Sequence, residues 1–274
     1  KLSERLYAGM AERGIVGDVA DLIFTKMSAF ASYGFPESHS VSFAYLVYSS
    51  AWIKLHEPAV FCASLLNAQP MGFWAPHSLV QDAKRHGVVV RSVDINASRA
   101  DATLEECGES TGGLAVRLGV GSVRGLSSAV AREIETHRPF VNMEDLVRKV
   151  PQLHIAQLEA LATAGAFNES FGQQRRDALW SAGAVIQSRP DRLQGVTTGA
   201  ASPQLPGMQP IDEMIADLWA TGVASSGHPT EFLRTELERM GVATAAELPM
   251  CGVRGDEKVL VAGTVTHRQR PATA

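Results

Sequence analysis

The feature that most constrains this chain is a series of short, punctuated helical patterns between residues 120 and 182. Apolar residues recur there at helical spacing over roughly 127–136, 143–149, 154–163 and 172–182, and turn residues cut off each stretch. Residues 1 to about 86 also read as helix. Leu2, Leu6 and Met10 share one face, and Val19, Ile23, Phe24 and Met27 repeat that spacing. The apolar run 41–54 has no internal Gly or Pro and is too long for an ordinary strand, which favours helix. Pro58 suits the first turn of a further helix over 59–66. Short strands are expected at 88–90 and 114–118, separated by the polar segment 96–113. The expected fold class is mainly α with short β segments.

Residues 187–210 are rich in Gly, Ser, Thr and Pro and read as a linker. Beyond them, Ile211, Met214, Ile215 and Leu218 predict one apolar helix face. Pro229 is placed to open a second helix, with Phe232, Leu233 and Leu237 facing its core and Gly241 ending it. The β-branched stretch 258–266 reads as a strand, followed by the basic turn Arg268-Gln269-Arg270-Pro271. The four tryptophans and the aromatics of 43–52 are expected in the core.

A formal charge of −4 excludes a chain whose whole surface attracts a polyanion, so any nucleic-acid contact must be local. Cys62, Cys107 and Cys251 are far apart and form no C-x-x-C spacing, which points to a reducing cytoplasm without a disulfide framework or zinc site. No apolar run reaches the length of a membrane span, so no membrane partner is expected. The histidines show no ligand spacing, and no metal site is expected. The first residue is Lys1 rather than Met, and the chain is read as an internal segment of a longer one.

Two short motifs could carry chemistry. In Phe30-Ala31-Ser32-Tyr33-Gly34-Phe35-Pro36-Glu37-Ser38-His39-Ser40 a Gly/Pro turn presents two hydroxyls and an imidazole at a helix start. Free N–H groups and the helix dipole there favour a phosphate, although simple capping by Ser38 or Ser40 fits the spacing as well. In Val120-Gly121-Ser122-Val123-Arg124-Gly125-Leu126-Ser127-Ser128 a turn of the form apolar-x-Gly-apolar precedes a helix. Helix-hairpin-helix modules use such turns to hold DNA phosphates on backbone N–H groups, with Ser127 standing here where a second Gly is usual. A plain helical turn would serve this spacing equally. A second unit, 143–149 and 154–163 joined by Val150-Pro151-Gln152-Leu153, lacks glycine, which suggests that one hairpin binds and the other packs as its structural pair.

Tyr33-Gly34-Phe35-x-x-Ser38-His39-Ser40, the helix to Trp52-Ile53-Lys54, Pro58-Ala59-x-Phe61, Leu65-Leu66-Asn67 and Val93-Asp94-Ile95-Asn96 together resemble the fingers region of bacterial DNA polymerase III alpha subunits, the C family. Pro36-Glu37, where replicative members carry Asn-Lys, and Asn67-Ala68-Gln69-Pro70-Met71-Gly72-Phe73 resemble the error-prone branch of damage-induced mutagenesis. The resemblance implies that Ser38, His39 and Ser40 lie near an incoming deoxynucleoside triphosphate. It implies a tandem helix-hairpin-helix whose Arg124, Gly125, Ser127 and Ser128 touch the DNA backbone. Gln204, Leu205 and Met208 stand where relatives carry a sliding-clamp peptide, in degenerate form because Met208 replaces the aromatic anchor.

The implied organisation is a helical fingers part over 1–100, a small β connection over 101–118, the tandem hairpin module over 119–183 and a flexible linker over 184–210. A helical connector over 211–256 and the first strand of a truncated oligonucleotide-binding (OB) β-barrel over 257–274 complete it. No catalytic residue is assigned, because the family's paired palm aspartates lie upstream. Mg2+ belongs to the parent polymerase, and this chain holds no cofactor of its own. Implied partners are primer-template DNA, deoxynucleoside triphosphates and an accessory mutagenesis protein that reaches the sliding clamp. The competing reading is a non-catalytic helix-hairpin-helix DNA-binding protein or an inactive truncated gene product.

Overall fold

The computed structural model describes residues 2–31, 37–72, 74–188, 191, 193, 195, 199–250 and 258–265, with the backbone alone at 2, 30, 31, 37 and 38. The turn Tyr33-Gly34-Phe35-Pro36, Phe73, Cys251 and the basic turn 268–271 lie outside the described residues. The chain divides into two compact units, 1–56 and 57–274.

The first unit holds α1 (Leu2–Ala11), α2 (Asp18–Ala31) and α3 (Glu37–His56). Met10 of α1 and Ala20 of α2 are buried, and Tyr7 donates to Asp21 at 2.8 Å while its ring leans on Phe24. The expected helix over 41–54 forms, but its aromatics are not core. Phe43, Tyr45, Tyr48 and Trp52 are all exposed, together with Val41, Leu46, Val47 and Leu55. A helix that is apolar all round has no polar face to give to water, and periodicity cannot say which side a neighbour will cover.

In the second unit, α4 (Pro58–Asn67) and α5 (Pro76–Arg85) lead to a three-stranded sheet of β1 (Val90–Arg91), β2 (Thr103–Glu106) and β3 (Leu114–Arg117). The strand order is β1-β3-β2. β1 runs parallel to β3 with Val90 opposite Val116, and β2 runs antiparallel with Leu104 opposite Val116. β2 falls within the stretch expected to be a polar connection, since Thr-Leu-Glu-Glu carries little strand signal. Its carboxylate Glu105 takes Arg117 at 2.8 Å from the adjacent β3 and Arg91 from β1 beyond it.

The helical cluster follows as α6 (Ser128–His137), α7 (Met143–Lys149), α8 (Ile155–Thr163), α9 (Asn168–Phe171) and α10 (Arg175–Val185). Helix α7 matches the sequence expectation because its ends are written locally. Asn142 accepts the N–H of Asp145 at 2.9 Å, and Pro151 follows its last turn. Ile134, Leu146, Leu153, Leu158, Leu161 and Phe167 are fully buried and join Val80, Ile95, Val116 and Val120 in one core. The fold is thus mainly α with short β segments.

After α10 the chain crosses this surface without a helix or strand among the described residues of 187–209. It is nevertheless tied down. Ser188 donates to Glu144 at 2.8 Å, Ser202 donates to Asp177 at 2.8 Å, and the carbonyls of Ala200 and Pro206 accept from Ser181 and Arg176.

Helix α11 (Pro210–Thr221) buries Met214, Asp217 and Ala220, whereas Ile211 and Ile215 of the expected apolar face are exposed. The buried face includes a carboxylate, which an apolar count necessarily passes over. Asp217 pairs with the buried Arg175 at 2.6 Å and accepts from Ser225. Helix α12 (Arg234–Arg239) starts after Pro229 and buries none of its residues, so Phe232, Leu233 and Leu237 form no core face. No strand forms among residues 258–265, where, among the described residues, the backbone is tied by the Ala243 N–H donating to the Leu260 carbonyl at 3.0 Å. A β-branched stretch becomes a strand only where a second one pairs with it.

The candidate nucleic-acid interface

The hairpin turn is built from a single 3-10 turn, Val120–Ser122, followed by Val123 to Ser127 and helix α6. Val123 is buried and the Leu126 N–H donates to the Val123 carbonyl at 3.1 Å, which closes the turn. Gly125 adopts φ = +79°, a left-handed conformation that side chains other than Gly disfavour. A Cβ there would meet nothing within 4 Å, so the turn stands open to an approaching ligand. Ser127 caps α6 by accepting the Val130 N–H at 3.3 Å, which commits one of its lone pairs to the helix. Arg124, Gly125, Ser127 and Ser128 are all exposed on this one surface.

The second turn repeats the first at a constant offset of 27 residues. Val150 replaces Val123, Leu153 replaces Leu126, and the Leu153 N–H again donates to the preceding valine carbonyl, at 3.0 Å. The equivalent pairs Val120 and Val147, Ala131 and Leu158, and Ile134 and Leu161 are fully buried, so the two halves share one core. The exposed positions differ. Pro151, which carries no charge, stands where the exposed Arg124 does, and Gln152 takes the place of Gly125. The first turn is therefore the better anion holder.

Gln157, in the first turn of α8, joins the two halves. Its amide donates to the Gly125 carbonyl at 2.9 Å while its oxygen accepts the His154 N–H at 3.0 Å. No sequence signal singled it out, although a Gln three residues after the N-cap His154 has capping-box spacing.

Of the eight basic residues between 117 and 176, several hold the fold rather than face outward. Arg117 is buried against Glu105 and Glu169. Arg175 is buried against Asp217, and Lys149 pairs with Asp145 at 2.8 Å. Arg138 donates to the carbonyls of Asn96, Ala97 and Ser98 at 2.7–3.2 Å. Arg124 differs: its guanidinium lies 5.1 Å from the centroid of the Trp219 ring and meets no acceptor among the described residues. A cleft of about 300 Å3 adjoins the turn, lined by Asn67, Asp101, Ser122, Ser128 and Arg132 among others.

Two runs that carry the family resemblance act as fasteners. Asn67 pairs its amide with both backbone groups of Ala102, at 2.9 and 2.8 Å. The buried Asp94 accepts from the N–H groups of Asn96, Ala97 and Ser170 and from the Ser170 hydroxyl, while Asn96 makes an amide pair with Phe140.

The remaining site residues are placed as follows. Ser38, His39 and Ser40 sit in the first turn of α3, with His39 exposed and edge-on to Phe43 at 4.4 Å. Gln204 is exposed and Leu205 and Met208 are half-buried, with no helix or strand around them. All four tryptophans are exposed rather than core: Trp52 by 52%, Trp74 by 62%, Trp180 by 54% and Trp219 by 49%. A large indole can cover core atoms with one edge and still leave half its surface in water. Among the described residues no group of three or more His, Cys, Asp or Glu side chains could hold a metal ion. No helix among them is long and apolar enough to cross a membrane.

Two turns, each feeding a helix and sharing one core, have the arrangement of a helix-hairpin-helix unit, and the family profile described as "Helix-hairpin-helix motif" matches residues 87–178. Over its whole length the chain is also 52% identical to a Nocardia farcinica protein named error-prone DNA polymerase, of which it covers 24%. Proteins of the same name from Mycobacterium tuberculosis and Corynebacterium efficiens are 52% and 47% identical over the whole chain, which covers 25% and 24% of them. The chain is homologous throughout to this part of the error-prone DNA polymerases, and it spans about a quarter of the length of these curated relatives.

Proposed function

We propose that this chain supplies the duplex-gripping and nucleotide-covering part of an error-prone DNA-directed DNA polymerase acting in damage-induced repair synthesis. The observation that carries the reading is the open Gly125 turn with the exposed Arg124 guanidinium beside it, which meets no acceptor among the described residues. A phosphate placed there would meet backbone N–H groups, the Ser128 hydroxyl and the guanidinium, none of which reads a base. With so many of the module's basic residues committed to internal pairs, affinity is modest and falls steeply with salt. Ser38, His39 and Ser40 support the nucleotide-covering role by standing in the first turn of a long helix, whose N–H groups and dipole favour a triphosphate.

Polymerisation requires carboxylates that hold divalent metal, and in the parent enzyme these belong to the palm. The chain by itself therefore extends no primer. An accessory mutagenesis protein links the parent enzyme to the sliding clamp, because Gln204, Leu205 and Met208 offer no aromatic anchor.

The test is binding of the 274-residue chain to labelled duplexes of unrelated sequence, read by fluorescence anisotropy across a salt series. Arg124→Ala weakens all duplexes alike and lowers the slope of log K against log salt by about one. A loss confined to one sequence, or no loss at all, refutes the hairpin as a backbone grip.

A further inference from the structure

The hairpin turn is not self-supporting, and its brace comes from a helix outside the matched motif. Helix α11 ends against the turn in two ways. The Arg124 backbone N–H donates to the Ala220 carbonyl at 2.7 Å, and the Arg124 guanidinium stacks over Trp219, one residue earlier. Ala220 lies in the last turn of α11, where carbonyls have no partner within the helix, so this bond satisfies an otherwise orphaned acceptor. The same helix end carries the negative pole of its dipole, which favours a cation beside it.

We propose that Trp219 is a positioning residue for DNA-backbone binding: its ring holds the Arg124 guanidinium in the orientation that meets a phosphate. The inference rests on the reading of Arg124 as a backbone contact. A free arginine side chain occupies many rotamers, and ordering it at the moment of binding costs affinity. Stacked on an indole, the guanidinium is ordered in advance while its N–H edge stays available, because stacking uses the face and hydrogen bonding uses the rim. The Trp219 ring is half-exposed, so its role at this surface is separable from the core beneath it. Asp217 and Ser225 anchor the buried face of α11, and Arg175 fixes that helix to α10. The DNA-binding module therefore extends to residue 221, past the end of the matched motif at 178.

The experiment measures duplex affinity of the whole 274-residue chain for Trp219→Leu, Trp219→Phe, Arg124→Ala and the double variant Arg124→Ala/Trp219→Leu, across a salt series. Leucine keeps an apolar side chain but has no π face, whereas phenylalanine keeps the face. Trp219→Leu is expected to weaken binding about two- to fivefold, the range of an exposed cation–π contact, and to shift the salt slope toward that of Arg124→Ala. Trp219→Phe stays within about twofold of the parent, and the double variant binds no more weakly than Arg124→Ala alone. Additive losses in the double variant, or equal affinities for the Leu and Phe variants, overturn the proposal. So does a loss with Trp219→Leu that leaves the salt slope untouched. If Arg124→Ala itself changes nothing, the backbone-grip reading fails first and takes this inference with it. Melting curves accompany each variant, and Trp219→Met replaces Trp219→Leu should the latter not fold.

Discussion

The side-chain amide of Gln157 donates to the Gly125 carbonyl at 2.9 Å, so a residue of the second hairpin holds the exposed turn of the first. The two turns are related by the 27-residue offset, yet this bond is one-sided, since Val130 occupies the position equivalent to Gln157. The second hairpin thus serves the first. Gln157→Leu removes one hydrogen bond to the turn and one to the His154 N–H, and should cost about 1 kcal/mol of stability. Urea unfolding measures that loss, and duplex affinity should fall with it while the salt slope stays unchanged.

Gly119 and Gly125 are needed for different reasons, and substitution separates them. A Cβ at Gly119 would lie 2.5 Å from the Ala100 carbonyl oxygen and as close to the Asp101 backbone, so Gly119→Ala forces main chain apart. Gly125→Ala meets no atom and incurs only the left-handed conformation. Gly119→Ala should destabilise by about 2 kcal/mol or more and Gly125→Ala by about 1 kcal/mol, both read from urea midpoints. Gly125→Asn should recover part of the second loss, because Asn tolerates that conformation.

The buried pair Arg175 and Asp217, 8% and 3% exposed, joins α10 to α11. Asp217→Ala leaves a guanidinium without its carboxylate and is expected to cost about 3–5 kcal/mol. The double variant Arg175→Met/Asp217→Leu should be less destabilised than either single change, because no unpaired charge remains. Because α11 also braces Arg124, Asp217→Ala should weaken duplex binding even where the chain is still folded.

His77 predicts a pH dependence. Burial, then the nearby His228 and Lys84, hold its imidazole below the ordinary 6.5, and its Nδ1 accepts the Ala224 N–H at 3.3 Å. The folded chain therefore binds fewer protons than the unfolded chain between the lowered value and 6.5. This contribution is fully present above 6.5 and is lost as pH falls through the lowered value. Melting temperatures from pH 7.5 down to 5 should drop, and His77→Gln should flatten that drop. An unchanged slope in His77→Gln would rule out His77 as its source.

Asn67 tests whether the run characteristic of the error-prone branch is structural. Asn67→Ala deprives both backbone groups of Ala102 of their partners and should cost about 1–3 kcal/mol, seen in urea unfolding. Asn67→Asp keeps the acceptor for the Ala102 N–H but loses the donor, and should fall between the two.

Where the sequence could be read, the cause was local. Helix α7 starts and stops at Asn142 and Val150 because a side-chain cap and a following proline are written within a few residues. The Gly125 turn was visible for the same reason, since glycine next to a helix start is a backbone signal. β2 was passed over because Thr-Leu-Glu-Glu pairs through its carboxylate Glu105 with arginines on other strands, a non-local reason to be a strand. The face of α11 was misjudged because its buried polar member, Asp217, is compensated by a residue 42 positions away.

The sequence by itself determined the helical class and the hairpin turn. These follow from backbone propensity, capping and periodicity, which act over a few residues. Only the tertiary structure decided which arginines are spent inside and which face out. It also placed Trp219 against Arg124 across 95 residues of chain and left all four tryptophans at the surface. Those outcomes depend on which surfaces meet once the helices pack, and local spacing carries no record of that.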